Sequence, residues 1–521
     1  MVEKKRSRSP GRRFFGLAPF LVLAVFCASS VWVRAGSAAE SRKIEKMIDA
    51  AQPEEQRASS ARERQKVLDE GKALFQRFCV PCHGPGGKGD GPASRYLYPR
   101  PRDLSLGIFK FHSTQPGALP TEEDIARTVK RGIPGSPMPA WGQALSGEQV
   151  RSVVEYVKTF SGRFGRETPG LKIEIGLEPP FDDLSVEKGR SLYRQLRCSQ
   201  CHGEEGEKTG LLEGQSEDSW GQTAYVYDIR QPALYKGGSA GDEIYQTLAA
   251  GIDGSPMNAY DYLSNAERWR LAHYLQSRFP GEGSPSDSAA PLTSYRTREL
   301  FDERPDNPVW DKIPSVNIPL SPLRAGNRSA PAVLTVQSVH DENRIAFRLQ
   351  WEDPSPDRAK HGTPGFLDSA AIQFALERGN AFDAPFFGMG ERGKPVNIWH
   401  WKADAGQEIA GPREGAASAE ESPASPRLNP FSESPVEELN SSGFGTLSFQ
   451  SLENQNVRGR GNWENGRWTA VFLRDLKTGW QSDVDFKAGD RFLLAFAVWD
   501  GSGKNKNADK AVASWRTLVV E

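Results

Sequence analysis

Two short stretches, "CVPCH" and "CSQCH", carry the most specific chemistry in this 521-residue chain. In each, a pair of cysteines runs straight into a histidine: Cys79, Cys82 and His83, then Cys198, Cys201 and His202. Thiol pairs can close disulfides in an exported protein, and Cys/His sets can hold zinc. A histidine placed directly after C-x-x-C instead signals covalent attachment of c-type haem. The two thiols become thioethers to the porphyrin, and the neighbouring imidazole is delivered to one face of the iron.

The other face needs a ligand as well. The chain has only five methionines: Met1, Met47, Met138, Met257 and Met389. Met138 lies in "GIPGSPMPAW" and Met257 in "GIDGSPMNAY", two segments that share Gly-Ser-Pro-Met. Histidine–methionine ligation leaves iron six-coordinate and raises its potential, which suits electron transfer better than oxygen chemistry. His112 and His273 are the rival ligands. His273 falls inside a helical pattern and His112 lacks a counterpart in the second segment, so both read as structural.

These residues recur in one order, which makes the N-terminal half an internal repeat. A helical pattern precedes each cysteine pair ("EGKALFQRFC", "EKGRSLYRQLRC"). A serine-capped amphipathic pattern follows each methionine ("LSGEQVRSVVEYVKTF", "LSNAERWRLAHYLQSRF"). Helix, haem motif, irregular wrap, methionine loop and final helix together resemble a class I cytochrome c domain, over 66–163 and again over 184–280. That resemblance implies an all-α fold and one covalent haem c per repeat, ligated by His83 with Met138 and by His202 with Met257.

Beyond a flexible linker, 281–295 ("GEGSPSDSAAP"), the pattern turns from helical to alternating. Nine of the thirteen tryptophans lie there. "PAVLTVQSV", "RIAFRLQW", "SAAIQFAL", "RWTAVFLRDL", "RFLLAFAVWDG" and "SWRTLVV" read as strands. "RIAFRLQW" places Ile345, Phe347, Leu349 and Trp351 on one face. Many strands with little helix predict an antiparallel β-sandwich over 296–521, with an Ala/Ser/Glu/Pro-rich surface insertion at about 403–440. On composition alone, Met389 is an ordinary core residue.

The segments "FFGMGERGKPVNIWHWKA", "GFGTLSFQ", "GRWTAVFLRDL" and "FLLAFAVWDGSG…KAVASW" resemble the haem b subunit of ethylbenzene dehydrogenase and its relatives. These are gamma-type subunits of periplasmic molybdenum enzymes of the dimethyl sulfoxide reductase group. The resemblance implies one non-covalent haem b, ligated by Met389 and Lys510, with Lys506, Lys504 and His400 as fallbacks for the second position. A lysine ligand must be neutral, so its site has to lower a pKa ordinarily near 10.4. The resemblance further implies a molybdenum catalytic subunit and an iron–sulfur subunit as partners. A soluble cytochrome c or a membrane oxidase would take the far end of the relay. Within that group, nitrite oxidoreductase is the favoured comparison.

The N-terminus reads as a cleavable signal peptide over 1–39: basic residues precede the apolar run "FFGLAPFLVLAVFCASSVWV". An uncleaved membrane anchor is its alternative, and 40–65 reads as a polar spacer. The expected compartment is the periplasm. A net charge of −1 gives no electrostatic case for a nucleic-acid partner. The expected function is a multihaem electron-transfer subunit with no catalytic residues of its own. Two other readings stay open: a dihaem enzyme such as a peroxidase, and a cytochrome anchored by a haem-free sandwich that binds sugar or protein. The first needs an open iron face, which the duplicated methionine loop argues against.

Overall fold

The computed structural model describes residues 54–212, 214–280, 291–323, 330–358, 366–376, 384–403 and 434–521. Apart from the start of the first helix, these belong to one compact unit, Ala58–Glu521. The expected signal peptide, Cys27, Met47 and most of the expected insertion lie outside the described residues.

Each repeat is built on a crossing of two helices. Helix α1 (Glu54–Phe78) is followed by α2 (Glu122–Arg131) and α3 (Gly147–Lys158). The second repeat supplies α4 (Asp183–Gln195), α5 (Gly241–Ala250) and α6 (Asn265–Ser277). Glycine allows the close approach at both crossings. A Cβ on Gly71 would stand 2.0 Å from the Ser152 carbonyl oxygen, and one on Gly189 would stand 1.9 Å from that of Arg270. Aromatic pairs lock each crossing: Phe75 on Tyr156 (5.6 Å between centroids) and Tyr193 on Tyr274 (5.2 Å). The final helices start at Ser146 and Ser264, each in a capping box with the residue three positions on, Gln149 and Glu267.

Helix α1 begins within the stretch expected as a polar spacer. Its first turns ("EEQRASSARERQ") are charged but rich in Ala, Glu, Gln and Arg, which favour helix whether or not they bury anything.

The C-terminal region contains β1 (Leu292–Arg296), β2 (Val316–Pro319), β3 (Ser321–Pro322), β4 (Val333–His340), β5 (Arg344–Glu352), β6 (Ser369–Ala375) and β7 (Val396–Lys402). These are followed by β8 (Val436–Ser441), β9 (Ser448–Phe449), β10 (Arg458–Glu464), β11 (Arg467–Asp475), β12 (Arg491–Trp499), β13 (Ala511–Val512) and β14 (Arg516–Val520). They form one hydrogen-bonded sheet in the order β9-β8-β7-β6-β12-β14-β1-β4-β5-β11-β10. The sheet folds over a single core to which both halves contribute: Val336, Phe347, Leu349, Trp351, Phe472, Ile372, Phe374, Trp399 and Phe496. Ile345 joins Phe347, Leu349 and Trp351 in that core, as the alternation predicts.

The pairing is antiparallel except at one place. β1 runs parallel to both β14 and β4. Strands so far apart in sequence are joined by no hairpin, and no short connection dictates their direction. β1 also begins inside the stretch expected as a linker, and β8 falls inside the expected insertion. Both were hidden by polar residues that turn out to be buried, Ser294 in β1 and Glu437 and Glu438 in β8.

Candidate haem sites

The two methionine loops share one construction. In the first, Ile133 N–H donates to the Met138 carbonyl (3.1 Å), Ser136 Oγ donates to the Ile133 carbonyl (2.7 Å), and Met138 N–H donates to Ser136 Oγ (3.3 Å). In the second, Ile252, Ser255 and Met257 repeat the ring at 3.1, 2.7 and 3.2 Å. Gly132 and Gly251 open these loops at φ 65° and 70°. Any side chain there would collide with the backbone around residues 138–140 or 258–259. The shared tetrapeptide therefore encodes a rigid bracket that presents methionine.

All eight cytochrome-motif residues line one cavity of about 1040 Å³: Cys79, Cys82, His83, Met138, Cys198, Cys201, His202 and Met257. The four cysteines are free thiols. Burial pushes Cys79 up to about 12, and Cys82 and Cys198 up to about 11. Cys79, Cys82 and Cys198 are thus held as neutral thiols, and all four cysteines line a large apolar space, the setting in which thioethers form. His83 Nδ1 lies 3.2 Å from the Arg102 carbonyl, which leaves Nε2 as the nitrogen available to a metal. His202 Nδ1 is buried without a partner among the described residues, and burial lowers that ring's pKa to about 4. Both imidazoles are thus kept neutral, as ligation requires.

The cavity also holds cations that the sequence did not single out. The Arg102 guanidinium lies 4.1 Å over the Trp220 ring and 3.0 Å from Asp218. Lys110 is driven down to about 7 by burial, helped by Arg102 and Lys236, and Lys236 is driven down to about 8 by burial. Arg102 and Lys110 close on Asp218, with Lys236 nearby, put basic groups in the wall of a largely apolar chamber, which fits a flat hydrophobic group bearing acid substituents, as haem does. Spacing could not have found them, because they come from irregular segments of both repeats.

His273 lies apart from this chamber. Its Nδ1 is 2.8 Å from Ser185 Oγ and its Nε2 is 3.0 Å from Glu178. His112 is likewise engaged, by Thr114 and Asp253.

The sandwich reaches the chamber through the loop that carries Met389. Ala384, Pro385, Phe386, Phe387, Glu391 and Trp515 contribute to its wall, although Met389 itself does not. Arg77 of α1 holds that loop, 3.1 Å from Glu391 and 3.1 Å from the Ala384 carbonyl. Trp515 Nε1 donates to the Pro385 carbonyl at 2.7 Å.

Met389 sits at φ 71°, a left-handed conformation rare outside glycine and asparagine. The flanking Gly390 at φ 79° and the bond from Gly443 N–H to the Met389 carbonyl (2.9 Å) hold it there. Gly390 packs near Val396, and Phe387 packs on a second apolar cluster containing Val396, Ile398, Ala371, Ala497 and Trp499. This cluster covers the face of β6, β7 and β12 that points away from the main core. Lys510 approaches the same face, its Nζ 4.6 Å over Trp499, and burial lowers it to about 8. His400 is there too, 4.9 Å from Trp499 between ring centroids, with a buried Nε2 that meets no partner among the described residues. Lys504 and Lys506 are exposed. The structure thus brings Met389, Lys510 and His400 to one face and leaves the other two fallbacks outside it.

Family models match three separate stretches of the chain. The ethylbenzene dehydrogenase family model matches residues 307–430 and 439–511. The model of cbb3-type cytochrome c oxidase subunit III matches 66–157, and the cytochrome c model matches 186–278. A putative respiratory nitrate reductase heme subunit from Haloferax mediterranei is 30% identical over 217 residues, 41% of this chain and 66% of that protein. The gamma subunit of chlorate reductase from Ideonella dechloratans is 27% identical over 216 residues, 40% of this chain and 75% of that protein. A solved chain from the reducing HAO-like protein complex of Kuenenia stuttgartiensis is 38% identical, with a TM-score of 0.39, covering 40% of this chain and 96% of that one.

Proposed function

Because the chain joins two cytochrome c domains to a domain of the ethylbenzene dehydrogenase family, we propose that it is the electron-transfer subunit of an exported molybdoenzyme complex. It carries two covalent haems c and one haem b, and it has no catalytic residue of its own. The observation that supports this best is the single chamber. Both cytochrome motifs, both methionine brackets and the loop of Met389 meet around it, so redox groups held there stand within a short distance of one another.

Haem bound at these sites supplies a reversible one-electron carrier. The polypeptide does the rest. The thiols of Cys79, Cys82, Cys198 and Cys201 anchor the two porphyrins. His83 with Met138, and His202 with Met257, would hold the two irons and leave oxygen or peroxide no open position. Arg102, Lys110 and Lys236 offset negative charge in a space that keeps water out. Met389 with Lys510 holds haem b, and His400 is the substitute for the lysine. Phe386, Phe387 and Trp515 fill the space between that face and the chamber.

The partners in this reading are a molybdenum catalytic subunit and an iron–sulfur subunit on the haem b side. A soluble cytochrome c or a membrane oxidase lies on the other side, in the periplasm. Two similar proteins are described as a putative respiratory nitrate reductase heme subunit and a chlorate reductase gamma subunit, so an oxyanion is the substrate class and the nitrite/nitrate couple is the favoured case. No helix among the described residues is long and apolar enough to cross a membrane.

A pyridine haemochrome assay on the purified chain tests the haem content. The expected result is two c-type haems and one acid-extractable b-type haem. A chain with no b haem would fit the haem-free binding-module reading, and ferrous c haems that bind carbon monoxide freely would fit the peroxidase reading.

A further inference from the structure

Three buried aspartates at one end of the sandwich take no part in any of this. We propose that Asp353, Asp368 and Asp500 bind a hard divalent cation, with calcium as the first choice. Asp368 immediately precedes β6 and Asp500 immediately follows β12. The two strands pair antiparallel with Ser369 opposite Trp499, so both carboxylates emerge at the same end of the ladder. Asp353 follows β5, which lies well along the sheet path from β6 and β12. One oxygen from each residue lies within 4.8 Å of the others, and the three residues are 2%, 0% and 2% exposed.

An accounting of donors shows why hydrogen bonding alone leaves the cluster incomplete. Asp368 is satisfied: Oδ1 accepts from Gly501 N–H (2.8 Å), and Oδ2 accepts from Asp357 N–H (2.6 Å) and Trp468 Nε1 (2.9 Å). Asp500 Oδ1 accepts from Ser502 Oγ (2.7 Å) and Gly503 N–H (3.2 Å). Asp353 Oδ1 accepts from Ser355 N–H (3.1 Å), but its Oδ2 is fully buried and meets no donor among the described residues. A buried carboxylate oxygen with no donor, beside two further carboxylates, is costly unless a cation stands there.

Arg358, whose guanidinium lies 5.3 Å over the Trp468 ring, is a described cation that feels the Asp368 charge. An all-carboxylate donor set selects calcium or magnesium over zinc or copper. Without a metal, burial and mutual repulsion push Asp353 up to about 7, so the empty cluster would shed its excess charge by holding protons.

The test uses the full, haem-loaded chain after exhaustive chelation. Metal content and thermal unfolding are followed as CaCl2 or MgCl2 is returned, for the wild type and for Asp353→Asn. The expected result is one equivalent of calcium retained per chain and a Tm several degrees higher, since a ligand that binds only the folded state stabilises it. Asp353→Asn should bind calcium at least tenfold more weakly, and its metal-free form should melt at or above the metal-free wild type. A wild type that neither retains a divalent cation nor shifts in millimolar calcium or magnesium overturns the proposal. So does an Asp353→Asn variant with an undiminished response. A response to magnesium alone overturns the choice of calcium. If the variant does not fold, the wild-type chelation and add-back decide the matter.

Discussion

His112 of the first repeat places its Nε2 3.1 Å from Asp253 Oδ2 in the methionine loop of the second. Asp253 occupies the position where the first repeat has Pro134, and it also accepts from Gly117 N–H at 3.1 Å. One bracket is therefore stiffened by proline within its own chain segment, and the other is braced from the neighbouring repeat.

Removing that brace should loosen Met257 without touching Met138. Weakening the hydrogen bond from Gly117 N–H to the Asp253 carboxylate, with its contact to His112, costs about 1.5 kcal/mol, or roughly tenfold in an equilibrium. In Asp253→Asn, imidazole or cyanide should displace one methionine from ferric haem at about tenfold lower concentration, followed in the visible spectrum. Equal effects on both c haems would contradict this assignment of the brace.

Met389 pays about 1 kcal/mol or more for its left-handed backbone. Met389→Gly should relieve that cost and raise Tm slightly in protein freed of haem b. It should also abolish the b-type spectrum of the loaded chain and leave both c-type bands in place. Lys510→Ala should likewise disturb only the b-type bands, and an undisturbed spectrum would transfer the second ligand role to His400.

The helix crossings tolerate no added carbon. Gly189→Ala would set a methyl group 1.9 Å from the Arg270 carbonyl, an overpacking worth about 3 kcal/mol. Gly147→Ala meets nothing within 4 Å and replaces a poor helix former, so it should be neutral or stabilising by up to about 1 kcal/mol. Paired thermal melts of the two variants check this.

Glu438 sets a pH dependence inside the sandwich. It is fully buried beside Arg474 (3.3 Å), and burial pushes it up to about 7 from an ordinary value of 4.5. Between those limits the folded chain holds a proton that the unfolded chain has released. The contribution to stability is full below about pH 4.5 and is lost as pH rises through 7. Across pH 5 to 7.5 the wild type should therefore lose stability relative to Glu438→Gln, measured as the difference in Tm. A constant difference would refute it.

The haem motifs, the methionine loops and the repeat were legible because covalent attachment and iron ligation each demand fixed residue types at fixed spacing. Most strands were legible because alternation follows from one buried face. β8 was not, because Glu437 and Glu438 are buried by virtue of partners elsewhere, Lys402 at 2.6 Å and Arg474. β10 escaped because Gly459 and Gly461 read as turn residues. Gly461 is there so that the Trp401 ring can approach, since a Cβ would lie 2.1 Å from it. Arg102, Lys110 and Lys236 were invisible because their meaning depends on two repeats facing each other, which no local pattern records.

The shared chamber also bears on how the molecule is made. Its walls come from three separate parts of the chain, so a bulky group is easier to install before they meet. On the proposed reading, two porphyrins joined to these thiols would enter while the repeats are still apart, with closure to follow. Haem attachment would then precede the final architecture, and a chain whose Cys82 or Cys201 is replaced by serine should stall half-assembled and be degraded faster, measured as its steady-state level.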